Sequence, residues 1–120
     1  MLNLSHKRLT AWQKAIQLLP LLYALCKKIP KEETFNLISQ IKRAGLSVSN
    51  NLAEGAARKS LAEKNRFFEV SRSFLVEIDN CLTALLALEY IVEDDLVEIN
   101  LIVLELFKLI TGLIHSNAKH

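Results

Sequence analysis

The sequence is poor in residues that interrupt regular structure, with only 3 glycines and 2 prolines among 120 residues. An all-β fold of this length needs many tight turns, which are usually formed by glycine and proline. The low count leaves little room for such a fold and favours long helices. The length fits one domain with a substantial core.

Long hydrophobic runs are also missing, although 51% of the residues are hydrophobic. No apolar segment reaches the roughly 18 residues of a membrane span, and the N-terminal segment lacks the apolar core of a signal peptide. We therefore predict a cytoplasmic protein that does not enter a membrane. Cys26 and Cys81 have no metal or redox spacing, which favours buried free thiols in a reducing compartment.

Catalytic and metal-binding patterns are absent from the sequence too. His6, His115 and His120 lie near the termini, and no Glu is followed three residues later by His, as a di-iron bundle would require. There is no glycine-rich phosphate loop. We predict that the protein is not an enzyme and has no metal or cofactor.

What the sequence does contain is helical periodicity in four segments, predicted at about 9–28, 32–58, 61–90 and 95–116. Apolar residues recur at spacings of three and four in three of them. They are Leu9, Trp12, Ile16, Leu19, Tyr23 and Cys26 in the first; Ile41, Ala44, Val48 and Leu52 in the second; and Leu96, Ile99, Val103, Leu106, Ile110 and Leu113 in the fourth. Ser60 and Glu63 form a capping box that starts the third. Because short connections make sequential helices antiparallel, residues 1–120 are predicted to form a single all-α domain, an up-down-up-down four-helix bundle.

The third and fourth predicted helices are apolar around most of their circumference. A bundle helix usually buries about three positions in seven, so these helices carry more apolar surface than one bundle can cover. Other copies of the chain are the simplest cover. We therefore predict a homo-oligomer.

A polar stripe with little charge runs along the second predicted helix. Ser and Asn are weaker helix formers than Lys and Glu, so their presence suggests hydrogen bonds rather than simple solvation. We interpret the stripe as a network between helices or subunits, with a ligand pocket as the alternative. The predicted network consists of Ser47, Asn50, Asn51, Glu54 and Glu77.

Charge is distributed unevenly along the chain. Residues 1–72 contain 13 Lys/Arg and 5 Asp/Glu, whereas residues 73–120 contain 2 and 8. The charges either neutralise each other across helix contacts or form a basic surface for an anionic partner. The candidate phosphate-contacting residues are Lys42, Arg43, Arg58, Lys59, Lys64 and Arg66, although no aromatic residues alternate with them as in single-strand binders. A solvated face with weak ion pairs is the alternative.

Several segments resemble the bacterial 23S rRNA intervening-sequence proteins. The segments are KIPKEE at 28–33, QIKRA at 40–44 and SVSNNLAEG at 47–55, followed by Arg58 and Ser60, with WQKA at 12–15 near the start of the first helix. The resemblance covers nearly the whole chain. It implies an antiparallel four-helix bundle that assembles as a homopentamer.

The resemblance also bears on function. Some members of that family are encoded within insertions in 23S rRNA genes and have been labelled ribosomal proteins for that reason. A similar fold serves as the accessory protein of diversity-generating retroelements, where a basic pentamer binds a reverse transcriptase and nucleic acid. The prediction is a non-enzymatic oligomeric scaffold that binds RNA or a ribonucleoprotein, such as a reverse transcriptase complex, through its basic residues. A protein-interaction or assembly module with no nucleic-acid role is the alternative.

Overall fold

Four α-helices account for most of the chain. They are α1 (Thr10–Cys26), α2 (Ser39–Ala56), α3 (Leu61–Ala87) and α4 (Val97–Ala118). The computed structural model describes residues 1–119, and that range contains no strand. Each helix packs against its neighbour in sequence, and α4 packs back against α1, which closes the bundle. The predicted fold class, an all-α four-helix bundle, is confirmed.

The helix ends differ from the predicted ones mainly before α2 and after α3. Lys31–Glu33 forms a 3₁₀ turn and Thr34–Ile38 a π turn, so α2 itself begins seven residues later than predicted. The Thr34 hydroxyl donates to the carbonyl of Lys31. Such side-chain bonds to nearby backbone compete with regular α-helical hydrogen bonding.

Helix α3 ends at Ala87 rather than at residue 90 because Glu89 adopts a left-handed conformation with φ of 61°. The Tyr90 amide donates to the Leu85 carbonyl at 3.1 Å and the Glu89 amide to Leu86 at 3.0 Å, which is a Schellman motif. At the other end of α3, the Ser60 hydroxyl accepts from the Glu63 amide at 3.1 Å. The predicted Ser60 cap is confirmed.

The core contains the predicted faces of α2 and α4. Ile41, Ala44, Val48 and Leu52 are all buried, and so are Leu96, Ile99, Leu106 and Ile110. Each large side chain buried there contributes about 1.5–3 kcal/mol relative to exposure.

The predicted stripe of α1 faces the core only in part: Cys26 is buried, and Leu9 and Trp12 are half-buried against the core. Ile16 and Tyr23 are exposed, whereas Ala11, Ala15 and Leu18 are buried instead. Helix α1 carries two apolar stripes, and the one with small side chains faces the bundle, where it permits close packing.

Two glycines allow neighbouring helices to approach closely. A Cβ on Gly45 would lie 2.9 Å from Leu22 Cδ1 on α1, and a Cβ on Gly55 would lie 2.7 Å from the Phe68 ring on α3. Phe68 is buried, so its ring has no open space into which to move. Gly55 therefore sets the distance between the end of α2 and the start of α3.

Large apolar side chains are exposed on α4 and at Val76 of the adjacent α3 in the single chain. We refer to Val76, Val97, Leu101, Leu104 and Phe107 as the α3–α4 face; Leu101 is 65% exposed and Leu104 55%. A groove of about 260 Å³ crosses this face. Among residues 1–119, no helix combines the length and apolarity needed to cross a membrane.

Both cysteines are buried and free. Burial raises the pKa of the Cys26 thiol and of the Cys81 thiol above the usual value. The neutral thiol is therefore the favoured form of each, as predicted for structural cysteines.

Asp95 joins the turn before α4 to the end of α1. Its carboxylate accepts from the Lys28 ammonium and, at 2.9 Å, from the Val92 amide. These two hydrogen bonds, that from Lys28 first, hold the pKa of the Asp95 carboxyl below its usual value.

Glycine-to-alanine substitutions in α2 and α4 should have opposite effects on stability. Gly112→Ala should raise the free energy of unfolding by about 1 kcal/mol, because alanine favours the helix and a Cβ there meets no atom within 4 Å. Gly55→Ala should lower it by about 1–3 kcal/mol, because the Cβ overlaps the Phe68 ring. Urea unfolding of both variants measures the change in the free energy of unfolding. A lower value for Gly112→Ala would contradict the finding that a Cβ at this position has free space.

The ion pair of Asp95 should make part of the stability depend on pH. Because the folded-state pKa is lowered, the stabilisation is present above the unfolded pKa near 4 and is lost as pH falls through the folded-state pKa. Asp95→Asn should therefore destabilise the protein at pH 7 and have less effect near pH 2. Thermal unfolding across this range tests it, with exposed Asp94→Asn as the control. An equal loss at both pH values would contradict the prediction.

Candidate nucleic-acid interface

The turn between α2 and α3 gathers four of the predicted basic residues at one end of the bundle. The chain leaves α2 through hydrogen bonds from the Ala57 and Arg58 amides to the carbonyls of Glu54 and Gly55, and re-enters a helix at Ser60. We call this region the basic end and define it by Arg58, Lys59, Lys64 and Arg66. Arg58, Lys59 and Arg66 are exposed and Lys64 is half-buried.

An aromatic ring organises two of these cations. The guanidinium carbon of Arg58 lies 4.8 Å from the centre of the Phe67 ring, and that of Arg66 lies 5.6 Å from it. Each contact is worth about 0.5–1 kcal/mol at an exposed site. Both guanidinium groups are thereby held near one surface point, and their N–H donors stay available to an anion.

Phe67 is not among the residues predicted for this site. Phe67 and Phe68 are adjacent on α3. Phe68 enters the core, whereas Phe67 is half-buried beside the two arginines. The signal was present as an aromatic residue directly after Arg66, but the partner on the other side, Arg58, is brought close only by the helix turn.

Lys64 has a structural contact as well as a charge. Its ammonium nitrogen donates to the Ala56 carbonyl at 2.9 Å. This bond satisfies a carbonyl at the C-terminus of α2. The positive charge also interacts favourably with the negative end of that helix dipole. The ammonium group has three donors, of which this bond uses one.

Lys42 and Arg43 lie apart from the basic end. They belong to the first turns of α2, on the order of 20 Å from its last residue at 1.5 Å per residue. The Lys42 ammonium lies 4.7 Å from the centre of the Tyr23 ring on α1, and Arg43 is exposed. The six predicted phosphate-contacting residues therefore form two groups, of four and two.

Charge separates along the length of the bundle. Helix α1 begins and α4 ends at the basic end, where the Asn65 amide on α3 donates to the Ile114 carbonyl at 3.1 Å. At the opposite end, Tyr90 donates to Glu33 at 3.1 Å, and Lys28 pairs with Asp95. Toward that end lie Glu32, Glu33, Glu89, Glu93, Asp94, Asp95 and Glu98, and also Lys27, Lys28, Lys31, Lys42 and Arg43. One end of the bundle is therefore basic, and the opposite end, which we call the acidic end, carries both signs of charge with a small acidic excess.

The polar stripe does not form the predicted network between helices within one chain. The Asn51 amide donates to the Ser47 carbonyl at 2.8 Å, along α2 itself, and Glu54 lies 3.9 Å from Arg58. Asn50, Glu54 and Glu77 are exposed. Ser47 and Asn51 are half-buried. Contact of these residues with another copy stays a prediction.

Other polar residues join the helices instead. The Ser71 hydroxyl on α3 donates to the Val48 carbonyl on α2 at 2.8 Å in the core. Arg72 donates to the Thr111 hydroxyl on α4 at 3.1 Å, and its guanidinium lies 5.8 Å from the Phe107 ring centre. Ser71 and Arg72 belong to a short polar run, Ser71–Ser73, that repeats at no helical spacing, so no pattern identified them.

Metal-binding geometry does not occur in the described part of the chain. Within residues 1–119, no group of three or more His, Cys, Asp or Glu side chains could hold a metal ion. His120 lies outside the described residues.

Comparison with known protein families gives one match. A family model described as 23S rRNA-intervening sequence protein matches residues 7–112, which is nearly the whole chain. The match includes all four residues of the basic end. No curated protein matches the sequence.

Proposed function

Because the chain belongs to the family of 23S rRNA-intervening sequence proteins, we propose that it is a non-catalytic helical-bundle scaffold that binds RNA at its basic end. Further copies of the chain assemble with it through the α3–α4 face. The observation that carries the proposal is the pair of guanidinium groups at 4.8 and 5.6 Å from the Phe67 ring.

The chemistry of the basic end suits phosphate oxygens. Arginine presents a planar set of N–H donors that matches phosphate geometry, and lysine adds point charge. Arg58 already lies near Glu54, but at 3.9 Å between exposed groups this ion pair is weak, so a phosphate competes with it readily. Contacts of this kind position a nucleic acid without reading its bases.

Assembly would multiply the basic ends. The α3–α4 face consists of large exposed apolar side chains on adjacent helices, and contiguous patches of this type mark interaction surfaces. Copies joined at this face would present several basic ends to one RNA, which raises the overall affinity without any new contact type. The pentamer implied by the resemblance is the arrangement we propose, and a ribonucleoprotein such as a reverse transcriptase complex is the proposed partner.

The apolar face also favours a second candidate function. A protein-interaction module would use the same surface for assembly, while the basic end would only keep the bundle soluble. The two functions differ in whether the protein binds RNA at all.

Charge reversal at the basic end should weaken RNA binding. Arg58→Glu with Arg66→Glu should lower the affinity for a structured RNA about tenfold or more at low salt, and should reduce the slope of log affinity against log salt by about 1.5, because two phosphate contacts are lost. Filter binding or fluorescence anisotropy at two or more salt concentrations measures both quantities.

The matched control reverses two exposed lysines at the acidic end, Lys27→Glu with Lys31→Glu, with the same change in net charge. At 0.1–0.15 M salt it should leave affinity within about twofold, since electrostatic effects beyond a Debye length of roughly 8–10 Å are screened. Equal weakening by both double variants would mean that net charge alone binds RNA. No RNA binding by the unaltered protein would favour the interaction module.

Solution mass should reveal assembly through the α3–α4 face. The unaltered protein should sediment as a multiple of the 13.6 kDa chain, and Leu104→Glu should yield the monomer, because a charge at the centre of an apolar interface is costly to bury. Leu46→Glu, at an exposed leucine on α2, is the control and should keep the assembly. A monomeric unaltered protein at micromolar concentration would refute the assembly.

A further inference from the structure

We propose that a cavity at the basic end binds the phosphorylated terminus of an RNA strand: a phosphate monoester together with the terminal nucleoside. The cavity has a volume of about 350 Å³ and is separate from the arginine pair on Phe67. This inference rests on the proposed RNA binding and names the part of the RNA that one further site takes.

Four segments of the chain meet around the cavity because two helices begin and two end there. The 3₁₀ helix Ser5–Arg8 forms one wall, Ala56 at the end of α2 and Lys64 near the start of α3 form another, and Asn117 on α4 closes it. The His6 ring packs edge-on against Trp12 at 5.0 Å between ring centres. This contact anchors the segment Ser5–Arg8 on α1.

The polar groups of the cavity favour an anion. Arg8 and Lys64 line it, and none of its lining residues carries a carboxylate. Lys64 keeps donors beyond the one used on the Ala56 carbonyl, and the Ser5 hydroxyl and Asn117 amide add neutral donors. Two cations match the charge of a phosphate monoester, about −1.5 to −2 at pH 7, better than the single charge of an internal phosphodiester.

The remaining wall is apolar and suits a nucleoside. Leu9, Phe68 and Leu113 line it. Phe68 is buried against Gly55, which fixes the position of its ring. The volume lies near the lower end of small-molecule sites, about 300–1,000 Å³, which fits one nucleotide rather than a folded stem. The cavity is open to solvent on one side, so its preference for a strand terminus comes from the higher charge of a terminal phosphate.

The test measures the affinity of the protein for one single-stranded RNA with and without a 5′-phosphate. The same comparison is made with and without a 3′-phosphate. The unaltered protein should bind one phosphorylated form about tenfold more tightly than the hydroxyl form, since charge-assisted hydrogen bonds contribute on the order of this factor. Arg8→Gln should reduce the ratio to about one. Lys7→Gln, a neighbouring cation that does not line the cavity, should retain the ratio.

The double variant Arg58→Glu with Arg66→Glu separates this inference from the proposed function. It should weaken binding of both RNA forms and keep their ratio. If the unaltered protein binds RNA with no preference for either terminal phosphate, the cavity assignment is wrong while the proposed function stands.

A second experiment with a mononucleotide applies if the protein binds no RNA, a result that would overturn the proposed function. Adenosine 5′-monophosphate should then raise the melting temperature of the unaltered protein but not of Arg8→Gln, and adenosine should raise neither. That result would assign the cavity to free nucleotides. Equal responses to nucleotide and nucleoside, or to both proteins, would overturn the phosphate site.

Discussion

The close approach of α2 and α3 at Gly55 is the constraint on which the basic end depends. The missing Cβ lets the Phe68 ring lie against the backbone of α2, at a distance that no other residue type would tolerate. Phe68 in the core leaves the adjacent Phe67 at the surface, directly beside the short turn that carries Arg58. One small residue therefore determines both the packing of the longest helix and the arrangement of the charged groups around an aromatic ring.

Much of the fold follows from periodicity. The stripe of α2 specifies the core because that helix has one apolar face that is continuous over several turns; the predicted stripe of α4 also faces the core, although further apolar residues lie outside it. Helix α1 shows where this argument fails: two apolar stripes compete, and Gly45 on α2 lies close to a leucine of each stripe, Leu19 and Leu22. Helix ends are set by single backbone conformations, such as that of Glu89, which no average propensity encodes.

The candidate site was less predictable than the fold. The charges of Arg58 and Arg66 are visible in the sequence, but their shared contact with Phe67 requires the turn geometry. The polar stripe on α2 was interpreted as a network between helices, whereas the helices of one chain are joined through Ser71 and Arg72. A Ser/Asn pattern shows that one face of a helix is polar. Which neighbour that face contacts depends on how the helix is rotated in the bundle.

The contact between His6 and Trp12 has a practical consequence. Trp12 is the chain's only tryptophan, so indole emission originates from one place, beside the segment Ser5–Arg8. Movement of that segment away from α1 changes the polarity around the indole ring and therefore its emission wavelength. The protein thus contains an intrinsic optical reporter of whether its N-terminal wall is in position.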